Sequence, residues 1–372
     1  MSIDPPIRSV DLTRQYRQLQ AQMDAAIQRV LASGQFILGA ETASFEQEFA
    51  AYLNAPAAAG VACGTDAIEL ALRTAAIGPG AEVITAANTA VGTVAAIERA
   101  GARPVLVDVS EESLTMDAQR LPPAISARTR AIIPVHLYGC PADLTPILAF
   151  AQNHHLTVIE DCAQAHGAQY RLRKVGTWGD LGAFSFYPTK NLGAYGDGGA
   201  LVINHPEWVE RGRALRQYGW HTRYISQESG VNSRLDELQA AILRVKLPYL
   251  EQWNLRRRHL AARYRQNLTG VGSVRFQESP AEADSVFHQM VIRIADRDAV
   301  QRRLTQADVQ TQVLYPQPIH LQPAYQSLGY QLGDFPVSER ASSEVLSLPL
   351  YPELTDDEVD QVCAALIDVL SA

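Results

Sequence analysis

Cysteine supplies four of the 372 residues: Cys63, Cys140, Cys162 and Cys363. They are too few to staple a chain of this length and too scattered for metal-ligand spacing, which excludes a disulfide scaffold and a cysteine-built metal centre and leaves free thiols. No run of 18 apolar residues occurs, so no membrane-spanning helix is expected. The start "MSIDPPIRSVDL" lacks the basic and then apolar pattern of an export leader, and the expectation is a cytoplasmic protein. Positive charge is in deficit, with 32 lysines and arginines against 40 acidic residues and a net charge of −8. That balance gives no electrostatic ground for binding nucleic acid or an anionic membrane. The local basic run Arg256, Arg257 and Arg258 reads as a solvated helix face. Internal repeats and low-complexity linkers are missing too.

Hydrophobic residues make up 47% of the chain, enough for a large core, and the length allows two domains. Leu12, Tyr16, Leu19, Met23, Ile27, Val30 and Leu31, in steps of three and four, predict a first helix ending at Gly34. Seven short valine- and isoleucine-rich segments follow: "AAAGVAC", "EVITAA", "RPVLVDV", "RAIIPVHLYG", "LTVIEDCAQ", "GAFSFY" and "GALVIN". Helical stretches such as "TDAIELALRTAAIG" and "ADLTPILAFAQNHH" separate several of them. This alternation predicts an α/β fold with a mostly parallel seven-stranded sheet covered on both faces. A long helical region bent or broken at Pro248 then leads to "SVFHQMVIRI" and "QTQVLY", read as strands around the helix "RDAVQRRLTQA", and to a last helix near "DDEVDQVCAALIDVL". The expected division is a large domain over 1–250 and a smaller C-terminal α+β domain over 251–372.

The stretch "FSFYPTKNLGAYGDGGALVIN" sets one lysine in an unusual place. Pro188 cannot join a sheet ladder and keeps Tyr187 out of helical geometry, so the strand stops and Lys190 falls in a loop. Gly193, Gly196, Gly198 and Gly199 follow, predicting positive φ or close approach of backbone to something flat or bulky. Asp161 ends the strand "LTVIED", where a carboxylate at the edge of an apolar core needs a cation or hydrogen-bond donors. Gln164 and His166 lie in the turn after it. Gly64, Thr65 and Asp66 open a helix after a strand, either as an N-capped start with Thr65 or Asp66 as the cap, or as a phosphate site at the helix's positive end. Ser185 is either a core serine or a further phosphate hydroxyl. Lysine, carboxylate and phosphate cradle together are the three attachments pyridoxal phosphate requires.

These residues carry a resemblance. "GTDAIELALRTAAIGPGAEVI", "IIPVHLYGCPAD", "VIEDCAQAHGA", "GDLGAFSFYPTKNLGAYGDGGALV" and "NSRLDELQAAILRVKLPYLEQWN" resemble the DegT/DnrJ/StrS family of sugar aminotransferases, in the aspartate aminotransferase fold class, over nearly the whole chain. The resemblance implies that Lys190 is the Schiff-base lysine, Asp161 the partner of the cofactor's ring nitrogen and Gln164 a contact on its ring-hydroxyl side. It implies Gly64, Thr65 and Ser185 as phosphate ligands. Asn232 resembles the asparagine that reaches the phosphate from a partner subunit, which implies a homodimer with shared sites. No metal is implied.

Within the family, "AANTAVGT", "VLYPQPIHLQPAYQSLGY" and "GDFPVSERASSEVLSLPLYP" are most similar to enzymes that place nitrogen at C3 of a nucleotide-linked 3-oxo-6-deoxyhexose, with L-glutamate as donor and pyridoxal and pyridoxamine phosphate alternating. Amination at C4 of a 4-keto sugar, or a regulatory protein that holds the cofactor without turnover, are the alternatives. Ala90 departs from the many relatives that stack an aromatic ring on the cofactor there. Tyr315, His320 and Tyr325 are candidates for lining the sugar site or are ordinary packing residues. A nicotinamide dehydrogenase is disfavoured, because "GAYGDGG" has the wrong spacing and leads into a strand.

Overall fold

A computed structural model describes residues 6–371; residues 1–5, the start of the segment read against export, and residue 372, the end of the expected small domain, lie outside the described residues. Each of the seven quoted segments supplies one strand of a central sheet. These are β1 (Ala57–Val61), β2 (Glu82–Ala86), β3 (Arg103–Val107), β4 (Thr129–Ile133), β5 (Thr157–Asp161), β6 (Leu181–Ser185) and β7 (Gly199–Ile203). Their spatial order is β1-β7-β6-β5-β4-β2-β3. β7 runs antiparallel to both neighbours, and all other pairs are parallel.

Both faces of the sheet are buried, which is why its strands read as near-continuous apolar runs. Along β7, Ala200 and Val202 join the layer containing Phe45, Phe49 and Leu243. Leu201 and Ile203, pointing the other way, join Ile68, Leu72 and Ile97. The covering helices include α1 (Leu12–Ser33), α2 (Ala40–Leu53), α3 (Gly64–Thr74), α4 (Val91–Arg99), α5 (Leu144–Asn153), α6 (Val209–Leu215) and α7 (Glu237–Lys246). α1 ends as expected, with Gly34 at φ 65° closing the helix. After a single 3-10 turn around Pro248, α8 (Leu250–Asn267) continues the chain.

The C-terminal region forms a three-stranded antiparallel sheet, β8 (Arg275–Phe276), β9 (Met290–Arg293) and β10 (Val345–Leu348), with β9 central. α9 (Arg297–Gln306), α10 (Pro336–Glu344) and α11 (Asp356–Ser371) accompany it. Ile7 pairs with Val309 and is buried in this region's core with Leu260, Met290 and Val362.

Three sequence expectations need correction here. "QTQVLY" is not a strand: Gln312 exchanges one pair of backbone bonds with Ser347 (3.1 and 2.8 Å), while "VLSL" takes the full place beside β9. Only Met290–Arg293 of "SVFHQMVIRI" is strand, because Val286 N and Gln289 N are drawn to the carbonyls of Gly139 and Tyr138 instead. Arg257 is not solvated. It is 4% exposed, and its guanidinium donates to the carbonyls of Phe287 (3.3 Å), His288 (3.4 Å) and Leu350 (3.0 Å).

Candidate active site

A cavity of about 900 Å³ opens beyond the carboxyl ends of the central strands, where α/β sheets collect ligands. Thr65, Asp161, Gln164, Ser185, Lys190 and Tyr315 all line it. Asp161 is the last residue of β5 and Ser185 the last of the neighbouring β6, two residues beyond Asp161's partner Ala183, so the strand ends bring both groups to the same edge of the sheet.

Beyond Ser185 the chain turns, Lys190 N donating to Tyr187 O at 2.9 Å, and the lysine stands half-buried in the cavity wall. None of the four glycines after it adopts a left-handed φ. Their role is close approach, and the neighbour is the protein's own chain. A Cβ on Gly193 would sit 2.3 Å from Pro188 O, and one on Gly199 would sit 2.5 Å from the Cys63 carbonyl. Gly193 thus tightens the lysine loop on itself, and Gly199 brings its far end onto the turn that opens α3. Burial pushes the Lys190 amine down to about 8, partly opposed by the Asp161 charge, so a sizeable neutral fraction is available as a nucleophile near neutral pH.

Asp161 is buried and accepts two hydrogen bonds: Oδ2 from the Thr93 hydroxyl at 2.8 Å and Oδ1 from Ala163 N at 3.1 Å. Thr93 Oγ1 lies 2.9 Å from Thr89 Oγ1. Since Thr93 donates to the carboxylate, Thr89 is the donor to Thr93, and the two hydroxyls form a directed relay. Burial pushes the Asp161 carboxyl above its usual range, while Thr93, Ala163 and Lys190 pull it back. Such a carboxylate is a site for a cation brought by a ligand. Gln164 is fixed from both ends: its Oε1 accepts from Tyr138 N at 2.6 Å, and its Nε2 donates to Tyr315 Oη at 3.1 Å. Tyr315 thus keeps its own hydrogen for another acceptor. Burial and the Asp161 charge push its phenol up to about 12.

Two helix starts meet at the cavity. α3 is capped by neither Thr65 nor Asp66: the cap is Cys63, whose Sγ accepts from Asp66 N at 3.5 Å. Asp66 is instead held by Arg99 (2.9 Å) and Ser233 (2.6 Å). That leaves Gly64 and Thr65 lining the cavity at the positive end of the helix. α4 begins beside them, with Ala90 at its N-cap and no side-chain cap bond. A Cβ on Gly64 would lie 2.7 Å from Ser185 Cβ, and one on Gly92 2.7 Å from Thr65 Oγ1. Backbone, hydroxyls and two helix dipoles form a cradle suited to a dianion. Ala90 lines the cavity as well, and Tyr187 and Tyr315 are the phenol rings in its wall.

The remaining expected residues lie outside this cavity. Asn232 is exposed, bridged to Gln217, and is not among the lining residues of its own chain's cavity. Its neighbour Ser233 is tied to Ala62 N (3.0 Å) and Asp66, which fixes the backbone at that point. His320 and Tyr325 pack in a buried layer with Ile319, Leu328 and Phe335. His320 Nε2 meets Glu339 Oε1 at 2.9 Å, and neither residue lines the cavity. Thr89, Thr93 and Tyr138 were not singled out from sequence. The i,i+4 spacing of the two threonines is the one signal there, and it is common on any helix start.

His136, Glu160 and Cys162 form a buried group close enough to hold a metal. Their hydrogen bonds give this group a structural role. Glu160 accepts from Gly176 N, Trp178 N and Gly179 N at 2.7–2.9 Å. His136 Nδ1 accepts from Ala142 N, so Nε2 carries the hydrogen and donates to Glu160 at 3.0 Å. Burial pushes the Cys162 thiol well up, which keeps it protonated.

The sheet order, the lysine loop and the carboxylate at the end of β5 define a transferase of the pyridoxal phosphate-dependent fold. Within that class the chain belongs to the DegT/DnrJ/EryC1/StrS aminotransferase family, whose profile matches residues 17–367. It is 47% identical over 357 residues to the erythromycin biosynthesis sensory transduction protein EryC1 of Saccharopolyspora erythraea, covering 96% of this chain and 98% of that one. It is 44% identical over 362 residues to dTDP-3-amino-3,4,6-trideoxy-alpha-D-glucose transaminase of Streptomyces venezuelae, covering 97% and 96%. The crystal structure of S. venezuelae DesV in complex with a ketimine intermediate matches with a TM-score of 0.96 at 44% identity, covering 98% of each chain.

Proposed function

We propose that this chain is a pyridoxal phosphate-dependent aminotransferase that moves an amino group from L-glutamate to a nucleotide-linked keto sugar, a dTDP-3-oxo-6-deoxyhexose, giving the 3-amino sugar. The observation that carries the reading is one lysine, Lys190, and one buried carboxylate, Asp161, lining the same cavity beneath two helix starts. The S. venezuelae transaminase named above, whose sugar carries its amino group at C3, supports C3 over C4, and a lysine and carboxylate pair lining one cavity supports turnover over a purely regulatory role.

The donor set fits the cofactor. Gly64, Thr65 and Ser185 would hold its phosphate, Asp161 its ring nitrogen, Gln164 the ring-hydroxyl side, and Lys190 its carbonyl carbon. When bound, the cofactor supplies an electron sink conjugated to the carbon that loses its proton. Lys190 Nζ, once free and neutral, takes the proton from the α-carbon of the amino donor and later returns one to the sugar carbon that receives nitrogen. Asp161, held by Thr93, stabilises positive charge on the ring nitrogen by a charge-assisted bond, about twice as strong as a neutral one. Tyr315 donates its free hydrogen to substrate. Asn232, exposed and backbone-fixed, reaches the phosphate of a neighbour in a homodimer, and Phe36, Ile37, Tyr218, Tyr224 and Ile225, all exposed, support a partnered surface. The setting is the cytoplasm, where activated sugars are assembled.

A panel of dTDP-, UDP- and GDP-linked 3-keto and 4-keto sugars with L-glutamate tests this. Amino-sugar formation is expected from the dTDP-linked 3-keto sugar. Turnover restricted to 4-keto sugars, or none with any member, contradicts it.

A further inference from the structure

A chain of buried amides ends at the cavity wall on His288. Asn254, on α8, donates from Nδ2 to the His166 carbonyl at 2.8 Å. A carbonyl can only accept, so this amide has a single orientation and its Oδ1 is the acceptor toward Asn191. Asn191, next to the lysine, donates from Nδ2 to that oxygen at 2.9 Å and to the Val286 carbonyl at 3.1 Å. Its Oδ1 must therefore accept. His288 Nδ1 lies 3.2 Å from that Oδ1, so Nδ1 carries the hydrogen. A neutral imidazole has one N–H, which leaves the lone pair on Nε2. The Gln289 amide lies 3.5 Å from Nε2, too long for a full bond, and both His288 and Gln289 line the cavity with Lys190.

The three members of the chain are all buried, Asn254 completely, and Arg257 fixes the His288 backbone by its carbonyl. An array of this kind is costly to bury and orients its last member firmly. Burial and the charges of Lys190 and Arg257 also push His288 well below its ordinary pKa, so the ring stays neutral.

We propose that His288 is a further functional residue of the site: Asn191 and Asn254 lock it in the Nδ1–H tautomer, and its Nε2 accepts a hydrogen bond from an amine in the cavity. The amine is that of Lys190 when released, or that of the incoming amino donor. Holding one N–H turns the nitrogen's lone pair toward the reacting carbon, a gain in orientation. The inference rests on the transaminase reading for this consequence, while the tautomer is a property of the chain itself.

The test uses full-length protein, as purified, with 15N-labelled histidine, and long-range 15N–1H correlation spectra in which His288 is assigned by the signal lost in His288→Gln. The Nδ1–H pattern is expected, and Asn191→Leu should convert it to a mixture. If the amine is that of Lys190, the Nε2 resonance moves once L-glutamate has converted the cofactor and been removed. If it belongs to the donor, the resonance moves only while L-glutamate is present, and does so in Lys190→Ala. His288→Gln, whose amide oxygen can stand in for Nε2, should keep at least tenfold more kcat than His288→Phe. An Nε2–H pattern in the native protein, a resonance that moves under neither condition, or equal loss in the two variants overturns the proposal. Should His288→Phe not fold, the spectra and Asn191→Leu still decide. Failure of reductive labelling at Lys190 would strike the transaminase reading, whereas an Nε2–H pattern strikes this inference alone.

Discussion

Thr93 gives its hydroxyl hydrogen to Asp161 at 2.8 Å across 68 residues of chain, and Thr89 stands behind it at 2.9 Å. The start of α4 thereby helps hold the charge on the carboxylate at the end of β5 against the burial that opposes it. Hydrogen bonds to charged groups contribute about 1.5–3 kcal/mol. Thr93→Val keeps the shape and removes the donor. It is expected to raise the Asp161 pKa further and to lower kcat by roughly 10- to 100-fold, with little change in phosphate anchoring. Steady-state kinetics and cofactor titration check this, and an unchanged kcat contradicts it.

Lys190 offers a pH test. Its amine is pushed down to about 8 from 10.5. Depression favours the neutral form, so cofactor uptake by protein stripped of it should accelerate as pH rises through about 8 and then level off. At pH 7.5 the neutral fraction is roughly 200-fold that of an ordinary lysine. Stopped-flow uptake across pH 6–10 measures it, and a rate still climbing steeply above pH 9 contradicts the depressed value.

Shared sites are tested by mixing subunits. In a C2 dimer whose Asn232 serves the neighbour, a heterodimer of Lys190→Ala and Asn232→Ala chains holds one site with both defects and one with neither. Activity should return toward half the native level per heterodimer once exchange is shown by mass spectrometry. Heterodimers no more active than their parents would show that Asn232 serves its own chain.

Lys190 and Asp161 were legible because local rules place them: a proline ends one strand, a carboxylate closes another, and parallel strands bring their ends together. The seven strands were legible because a sheet buried on both faces leaves apolar runs in the sequence. Thr93 was not, since nothing local ties it to Asp161; packing of α4 over the sheet does. The glycines after Lys190 leave positive φ and close approach both open in the sequence; the choice of close approach, to Pro188 at Gly193 and to Cys63 at Gly199, is a tertiary fact. "QTQVLY" has the composition of a strand, and the competition for β9 was won by "VLSL", which no single-segment pattern reveals. Arg257 carried the look of a surface charge because its partners are backbone carbonyls, which leave no mark in the sequence.

The central claim, that Lys190 carries the cofactor, is tested most directly by borohydride reduction of the purified protein followed by peptide mass spectrometry. A visible band at roughly 400–430 nm should disappear on reduction, with the stable adduct on the peptide containing Lys190 and none in Lys190→Ala. An adduct on another lysine, or one that survives in Lys190→Ala, would contradict the account.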